Sequence, residues 1–248
     1  MRAPDFWQHD SPFAWLLTPF SWIWRVCLAA RTFRAVPVKL DAPVICIGNA
    51  VVGGAGKTPV AMSVACCTIQ LGYNPHFLSR GYGGSRRGPL RVDPSQHLYS
   101  DVGDEPLLLA TRAPTWVARK RASGGKRAVS NGADVIVMDD GFQNPEIHKD
   151  FSILVVDGGY GSGNGRVVPA GPLRESMRSA LERSDAVAII GPDTINFQNA
   201  VSIGKPVFTA QFVPLPDHKG ISGKRVVAFA RIGRPTKFFE TLTNMECD

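Results

Sequence analysis

Cysteine is scarce in this chain of 248 residues: there are five, at positions 27, 46, 66, 67 and 247. The number is odd and no pair has C-x-x-C spacing, which excludes a disulfide framework and a ribbon-type zinc site and points to a reducing compartment. Histidine is equally sparse, and there is no H-E-x-x-H, no metal-spaced His cluster and no Ser-His-Asp order. No internal repeat, low-complexity segment or long disordered tail is present. Uninterrupted apolar runs of about 20 residues are missing too. The longest candidate, 13–30, is broken by Thr18, Pro19, Ser21 and Arg25, which argues against a spanning helix. A signal peptide is disfavoured because Asp5 and Asp10 stand where a basic segment belongs.

Acidic residues are in deficit, 21 against 28 Lys and Arg, for a net charge of +7. That balance suits anionic partners: phosphates, nucleic acid or an acidic membrane surface. Hydrophobic residues make up 44%, enough to bury the core of one large or two small domains.

The apolar stretch 13–30 holds Trp15, Trp22 and Trp24, with Trp7 just ahead. Ser11, Thr18, Arg25 and Thr32 recur every seven residues, so on a helix they form one narrow polar stripe. Arg25, Arg31, Arg34 and Lys39 add positive charge toward its C-terminal side. Tryptophan and arginine suit the headgroup level of an anionic bilayer, so the segment reads as an interfacial helix, with packing on its own domain as the alternative.

Residues 35–42, flanked by Pro37 and Pro43, read as a linker. Short apolar, β-rich runs then recur at 44–47, 76–78, 115–118, 135–138, 153–156, 186–190, 207–212 and 226–230, with helical candidates at 59–71, 105–112, 174–183 and 235–242. Continuous apolar strands alternating with helices predict an α/β fold, a doubly wound and mainly parallel sheet covered on both faces. Ligands in such folds bind beyond the carboxyl ends of the strands. Segment 79–103 breaks the alternation and, rich in Gly and Arg, reads as a long mobile insertion, either a solvated basic loop or a flap over a phosphate-bearing substrate.

The strand 44–47 runs into Gly48-Asn49-Ala50-Val51-Val52-Gly53-Gly54-Ala55-Gly56-Lys57-Thr58-Pro59. This is the order of parts in a nucleoside triphosphate site. Amides of Val51, Val52, Gly53, Gly54, Ala55 and Gly56 would face phosphate oxygens, Lys57 would neutralise β/γ-phosphate charge, and the Thr58 hydroxyl would ligate Mg²⁺. The pattern departs from G-x-x-x-x-G-K-[ST] at its first glycine, where Val51 stands. A second apolar strand ends in Asp139-Asp140-Gly141-Phe142-Gln143, about 80 residues later. Carboxylates delivered at a strand end beside a P-loop suit Mg²⁺ and its waters.

Two further segments stay open on spacing alone. Gly103-Asp104-Glu105-Pro106 has the acidic residues of an ordinary helix start, while Asp104 is also placed as a base for an attacking hydroxyl. Arg166-Val167-Val168-Pro169-Ala170-Gly171-Pro172-Leu173-Arg174-Glu175 is a rigid turn, either plain surface or a device presenting Arg174 to phosphate and Glu175 to a metal shell. The aromatics do not interleave with the basic residues, so a nucleic-acid stacking platform is not indicated.

Taken together, the ordered motifs resemble the tetraacyldisaccharide 4′-kinase family, the lipid A 4′-kinases of Gram-negative bacteria. The resemblance rests on the aromatic N-terminal helix, the Ile47–Pro59 loop, Ser79-Arg80-Gly81-Tyr82-Gly83, Val102-Gly103-Asp104-Glu105-Pro106, the Asp139–Gln143 and Pro169–Glu175 segments and the stretch 228–235. It implies a P-loop NTPase-like kinase that uses ATP and Mg²⁺ to phosphorylate the 4′-hydroxyl of a tetraacylated glucosamine disaccharide 1-phosphate, yielding lipid IVA. The partners implied are that lipid A precursor and the cytoplasmic face of the inner membrane, with no nucleic acid. Asp104 and Lys57 match the catalytic positions; Thr58, Asp139, Asp140 and Glu175 fall on the metal surroundings, and Gln143 and Arg174 on the nucleotide surroundings. The division expected is 1–40 for the membrane-associating helix and linker, 41–222 for the kinase domain and 223–248 for the start of a smaller C-terminal domain, most of which would lie past Asp248. Arg231 stands where the family has Gly, the family's C-terminal Asp-His motif would lie in the missing part, and Asp217-His218 reads as unrelated to it. A catalytically impaired remnant that still binds nucleotide and membrane is the alternative, and a regulatory NTPase a third reading.

Overall fold

In a computed structural model of the chain, residues 4–201, 204–213, 220–230 and 235–247 are described. In chain order these form α1 (Pro12–Arg34), β1 (Val44–Gly48), α2 (Lys57–Gln70), β2 (Pro75–Ser79), β3 (Leu90–Arg91), α3 (Tyr99–Val102), α4 (Asp104–Ala110) and β4 (Thr115–Val117). They continue with α5 (Arg121–Val129), β5 (Val135–Asp139), β6 (Phe151–Asp157), α6 (Met177–Glu182), β7 (Ala186–Ile190), β8 (Val207–Ala210) and α7 (Pro235–Asn244).

One eight-stranded sheet runs β3-β4-β2-β5-β1-β6-β7-β8. Every pairing is parallel except β3 with β4. All residues of β2, β5 and β7 are buried. Strands covered on both faces need no polar alternation, and this is why these runs read as continuous apolar stretches. Helix α2 buries Lys57, Ala61, Ala65 and Thr68, a three-to-four-residue spacing that puts one mostly small face against the sheet.

The chain leaves β1 toward β2 on one side of the sheet, whereas β6 joins β1 on the other. That reversal puts the switch point at the carboxyl ends of β1, β5 and β6, where a ligand crevice opens.

Three sequence expectations are corrected, and one helix stands where none was expected. Residues 226–230 form no strand, and Val227 and Phe229 are exposed; their apolar β-rich composition has no partner strand among the described residues. The linker 35–42 is not free: Val38 bridges Ile147, and Leu40 and Ala42 lie in the core. Segment 79–103 is largely folded onto the sheet edge through β3 and α3, with Val92, Val102 and Val117 forming a small buried cluster. Helix α5 went unread because Gly124-Gly125 interrupts it; a Cβ on Gly124 would stand 2.6 Å from Ala118 Cβ and 2.7 Å from Leu78 Cδ1, so the helix lies on the sheet only with glycine there. The landmarks Asp217-His218 and Arg231 lie outside the described residues.

Candidate active site

Gly56 ends the glycine-rich loop with φ +87° and caps α2. That left-handed conformation suits glycine, and it turns the chain so that α2 begins at Lys57 with its free amides at the loop. Val51, the irregular position, is explained by its neighbours. It is buried and bridges Leu173, while the Val52 amide donates to the Pro172 carbonyl at 2.7 Å. The first half of this loop is therefore held by the 166–175 turn, where an apolar side chain that packs serves better than a flexible glycine.

Register pairs Ile47 with Asp139, so the loop after β1 and the aspartates at the end of β5 emerge side by side. Thr58 Oγ1 lies 3.2 Å from Asp139 Oδ2. The other Asp139 oxygen, Oδ1, is buried with no hydrogen-bond partner among the described residues. Burial, reinforced by the nearby charge of Glu105, pushes the Asp139 carboxyl up to about 7, although Lys57 acts against this. Asp140 adopts φ +51°, a conformation that non-glycine residues seldom hold without a reason. Its Oδ1 takes Arg174 Nη1 at 2.8 Å and lies 3.7 Å from Lys57 Nζ. Burial pushes this carboxyl up, but Lys57 and Arg174 outweigh it and hold the group below its usual range.

Lys57 is buried, and its Nζ also approaches the Gly53 carbonyl at 3.4 Å. Gln143 bridges the floor: its Nε2 donates to the Asn49 carbonyl at 2.9 Å and to Glu175 Oε1 at 3.0 Å, and its Oε1 accepts from Arg174 at 3.2 Å. Glu175 is buried and its second oxygen accepts from Arg183 Nη2.

Asp104 opens α4 after Gly103, whose φ of +90° and closeness to the Tyr82 carbonyl leave no room for a side chain. Its Oδ1 accepts from the Glu105 amide at 3.0 Å. Helix α4 packs on α2 and β2, and Glu105 lies within the field of Lys57, Asp140 and Asp104.

The structure thus gathers Lys57, Thr58, Asp139, Asp140, Gln143, Arg174 and Glu175 into one connected network, with Glu105 and Asp104 at its border. It does not draw the four expected metal residues into one ligand set. Among the described residues no group of three His, Cys, Asp or Glu could hold a metal ion, because Asp140 and Glu175 are each tied to an arginine while Asp139 and Thr58 face each other. Both Arg174 and Glu175 precede α6, whose cap is Ser176, so they sit in the turn and not at a helix start.

Residues the sequence reading missed also stand here. Asn49 is fully buried with an unpartnered Oδ1. Arg121 is buried with an unpartnered Nε, and burial, with Arg80 nearby, lowers its guanidinium to about 10. Glu105 carries a carboxyl raised mainly by burial. A buried polar group at a strand end is the signal that could have found Asn49; Arg121 and Glu105 look like surface helix residues in any one-dimensional reading.

Helix α1 lies across the 166–175 turn. Ser21 Oγ donates to the Val167 carbonyl at 2.7 Å, Trp24 Nε1 to the Arg174 carbonyl at 2.9 Å, and Trp7 Nε1 to that of Pro169 at 3.0 Å. Arg166 reaches Thr18 and Asp10 and stacks on Trp15. Arg25 and Thr32, with Leu28, line a cleft of about 610 Å³ bounded opposite by Phe142, Lys149 and Arg183. The polar stripe accordingly faces the domain, and Leu16, Phe20, Trp22, Ile23 and Val26 are exposed. By length and composition this helix is apolar enough to cross a membrane.

Comparison with known proteins agrees with this arrangement. The sequence pattern of the family described as LpxK, tetraacyldisaccharide-1-P 4′-kinase, matches residues 13–248. A tetraacyldisaccharide 4′-kinase of Rhodospirillum rubrum is 52% identical over 247 residues, covering 98% of this chain and 75% of that protein. That of Paramagnetospirillum magneticum is 51% identical over 243 residues, with the same coverage of both chains. The crystal structure of an "apo" form of LpxK from Aquifex aeolicus in complex with ATP superposes with a TM-score of 0.76 at 28% identity, over 95% of this chain and 79% of that one. With a P-loop, an aspartate pair and an apolar N-terminal helix in the same fold, and a family match across nearly its whole length, the chain belongs to the tetraacyldisaccharide-1-P 4′-kinase family.

Proposed function

We propose that the chain transfers the γ-phosphoryl group of ATP to the 4′-hydroxyl of a tetraacylated glucosamine disaccharide 1-phosphate, giving lipid IVA in lipid A biosynthesis. The observation that carries this reading is the family match over residues 13–248, which embraces every residue of the network described above.

In this reading the amides of Val51 and of Gly53 to Gly56 cradle the phosphates, while that of Val52, expected to join them, is taken by the Pro172 carbonyl, and Lys57 neutralises charge that develops on the transferred group. Gln143 and Arg174 line the nucleotide. The donor set fits Mg²⁺: the Thr58 hydroxyl and the unpartnered Asp139 Oδ1 are hard oxygen ligands at one place. Asp140 and Glu175, held by Arg174 and Arg183, belong to the wider surroundings of the metal in this reading. When bound, Mg²⁺ withdraws negative charge from the phosphate oxygens. Asp104 takes the proton of the acceptor hydroxyl as its oxygen bonds to phosphorus and the bond to the ADP oxygen breaks. ADP then leaves with the electron pair of that bond.

The exposed aromatic and aliphatic face of α1 is read as the surface that meets the bilayer interface, on the cytoplasmic side where ATP is available. Residues 1–40 then serve as membrane-associating helix and linker, 41–222 as the kinase domain and 223–248 as the start of a C-terminal domain. A nucleic-acid partner has no place in this reading, since the exposed aromatics of α1 point to lipid.

The test is transfer of label from γ-labelled ATP to the purified disaccharide 1-phosphate in mixed micelles. A product phosphorylated at the 4′ position is expected, and its loss in Lys57→Ala and Asp104→Ala. Hydrolysis of ATP at a rate indifferent to the lipid acceptor would instead mark a regulatory NTPase.

A further inference from the structure

The 166–175 turn is clamped from two sides. On one, the phosphate-binding loop holds it: the Arg174 amide donates to the Ala50 carbonyl at 2.7 Å, the Val52 amide donates to the Pro172 carbonyl at 2.7 Å, and Val51 bridges Leu173. On the other, α1 holds it through Ser21 and Trp24. Arg174 is where the two sides meet. Its N–H goes to the loop, its carbonyl takes the Trp24 indole N–H at 2.9 Å, and its guanidinium spans Asp140 and Gln143 at 2.8 and 3.2 Å. A backbone held at both polar groups has little freedom to swing, so the direction of the guanidinium is preset before any nucleotide arrives.

Trp24 differs in this from the other indoles of the exposed face. Trp22 is 66% exposed and its indole N–H makes no hydrogen bond among the described residues, as expected of a ring that meets a bilayer interface. Trp24 is 47% exposed and commits its N–H to the domain. We infer that Trp24 is a positioning residue for the nucleotide site: its indole N–H fixes the Arg174 backbone and through it the Arg174–Asp140–Gln143 arrangement. The N-terminal helix is then a strut of the ATP site as well as a membrane-facing element, and part of its aromatic content serves catalysis. The inference rests on Arg174 being a nucleotide-site residue, as set out under the proposed function.

The decisive variant is Trp24→Phe, which keeps an aromatic ring and removes the N–H together with the five-membered ring that carries it. ATP affinity is measured by titration calorimetry in detergent micelles with excess Mg²⁺ and no lipid acceptor, and partition into anionic phospholipid vesicles is measured beside it. One lost hydrogen bond corresponds to roughly fivefold weaker ATP binding. Vesicle partition should stay within about twofold, since the apolar face is nearly intact. Trp22→Phe, the same change on the same face at a ring whose indole N–H makes no bond to the domain, should leave ATP affinity unchanged. Repeating Trp24→Phe in an Arg174→Ala background separates positioning from general loosening: the effect on ATP should vanish there, because its path runs through Arg174. Ser21→Ala, which cuts the adjacent bond to Val167, is judged in the same two backgrounds should Trp24→Phe fold poorly. Wild-type ATP affinity in Trp24→Phe, or an equal loss in both backgrounds, would overturn the inference alone. A chain that binds ATP but transfers no phosphate overturns the kinase reading and leaves this test intact. A wild-type chain with no ATP affinity overturns both.

Discussion

Gly48→Ala is a one-methyl test of how the site is built. Gly48 is the last residue of β1, where the strand hands over to the phosphate-binding loop, and it pairs with Leu154 of β6. An added Cβ would overlap Phe142 Cβ outright and stand 3.0 Å from its Cγ and Cδ2. Phe142 cannot easily yield. It is 1% exposed, its carbonyl accepts from Lys149 Nζ at 2.7 Å and from Arg183 at 3.2 Å, and both cations lie over its ring. Overpacking at such a site costs about 1–3 kcal/mol. For a chain of this size each kcal/mol lowers Tm by roughly 2–4 °C, so a drop of about 2–12 °C is expected. Thermal and urea unfolding followed by circular dichroism would read it. Trimming the neighbour to Leu should not restore stability, because the overlap is with the Cβ that leucine keeps. A Gly48→Ala protein melting within about 1 °C of wild type would refute the packing argument, since the strand end would then have slack to give.

Three other outcomes follow from the same geometry. Lys57→Ala should weaken ATP binding and cut transfer by roughly a hundredfold or more, whereas Asp104→Ala should cut transfer by a similar or larger factor with ATP affinity retained; steady-state kinetics with calorimetry distinguishes them. Buried His76 accepts the Trp116 indole N–H at 3.2 Å, and burial, with Arg91 nearby, lowers its pKa. The unfolded chain then binds the proton first, so stability is lost as pH falls below about 6.5, and the decline in Tm on acidification should shrink in His76→Gln, which keeps an acceptor. Arg166→Ala removes the stacking on Trp15 and the bonds to Asp10 and Thr18. Limited proteolysis should then cut the N-terminal segment faster at unchanged global Tm, and equal cutting rates would show that this latch does not hold the helix.

The parallel sheet was legible because burial on both faces makes each strand a short apolar run, with no alternation needed. Seven of those runs became strands, and the eighth, 226–230, shows how little such a run means without a partner. Helix α5 was hidden for the opposite reason: Gly124 and Gly125 break the local helix signal, yet the sheet requires them because larger residues would collide with Leu78, Ala118 and Leu40. Local propensity and tertiary fit disagree there, and fit prevails.

The candidate site divides in the same way. Order along the chain alone offered the glycine-rich loop with Lys57 and Thr58 and the aspartates at a strand end, each a local pattern of backbone freedom and charge, whereas Asp104 and the Arg174–Glu175 turn stayed open on spacing and were singled out by the family resemblance. Tertiary structure decided how they are paired. Only folding puts Asp139 against Thr58 while binding Asp140 to Arg174 and Glu175 to Arg183, because carboxylates alike in sequence differ by which cation stands opposite them. Glu105 and Arg121 entered the neighbourhood for the same reason: burial beside charges contributed from distant segments is not written in any single stretch. The N-terminal helix shows the contrast most directly. Its apolar length and its seven-residue polar stripe are properties of the sequence, but which face meets the domain, and that Trp24 reaches Arg174 across 150 residues of chain, depend on where the fold sets the turn beneath it.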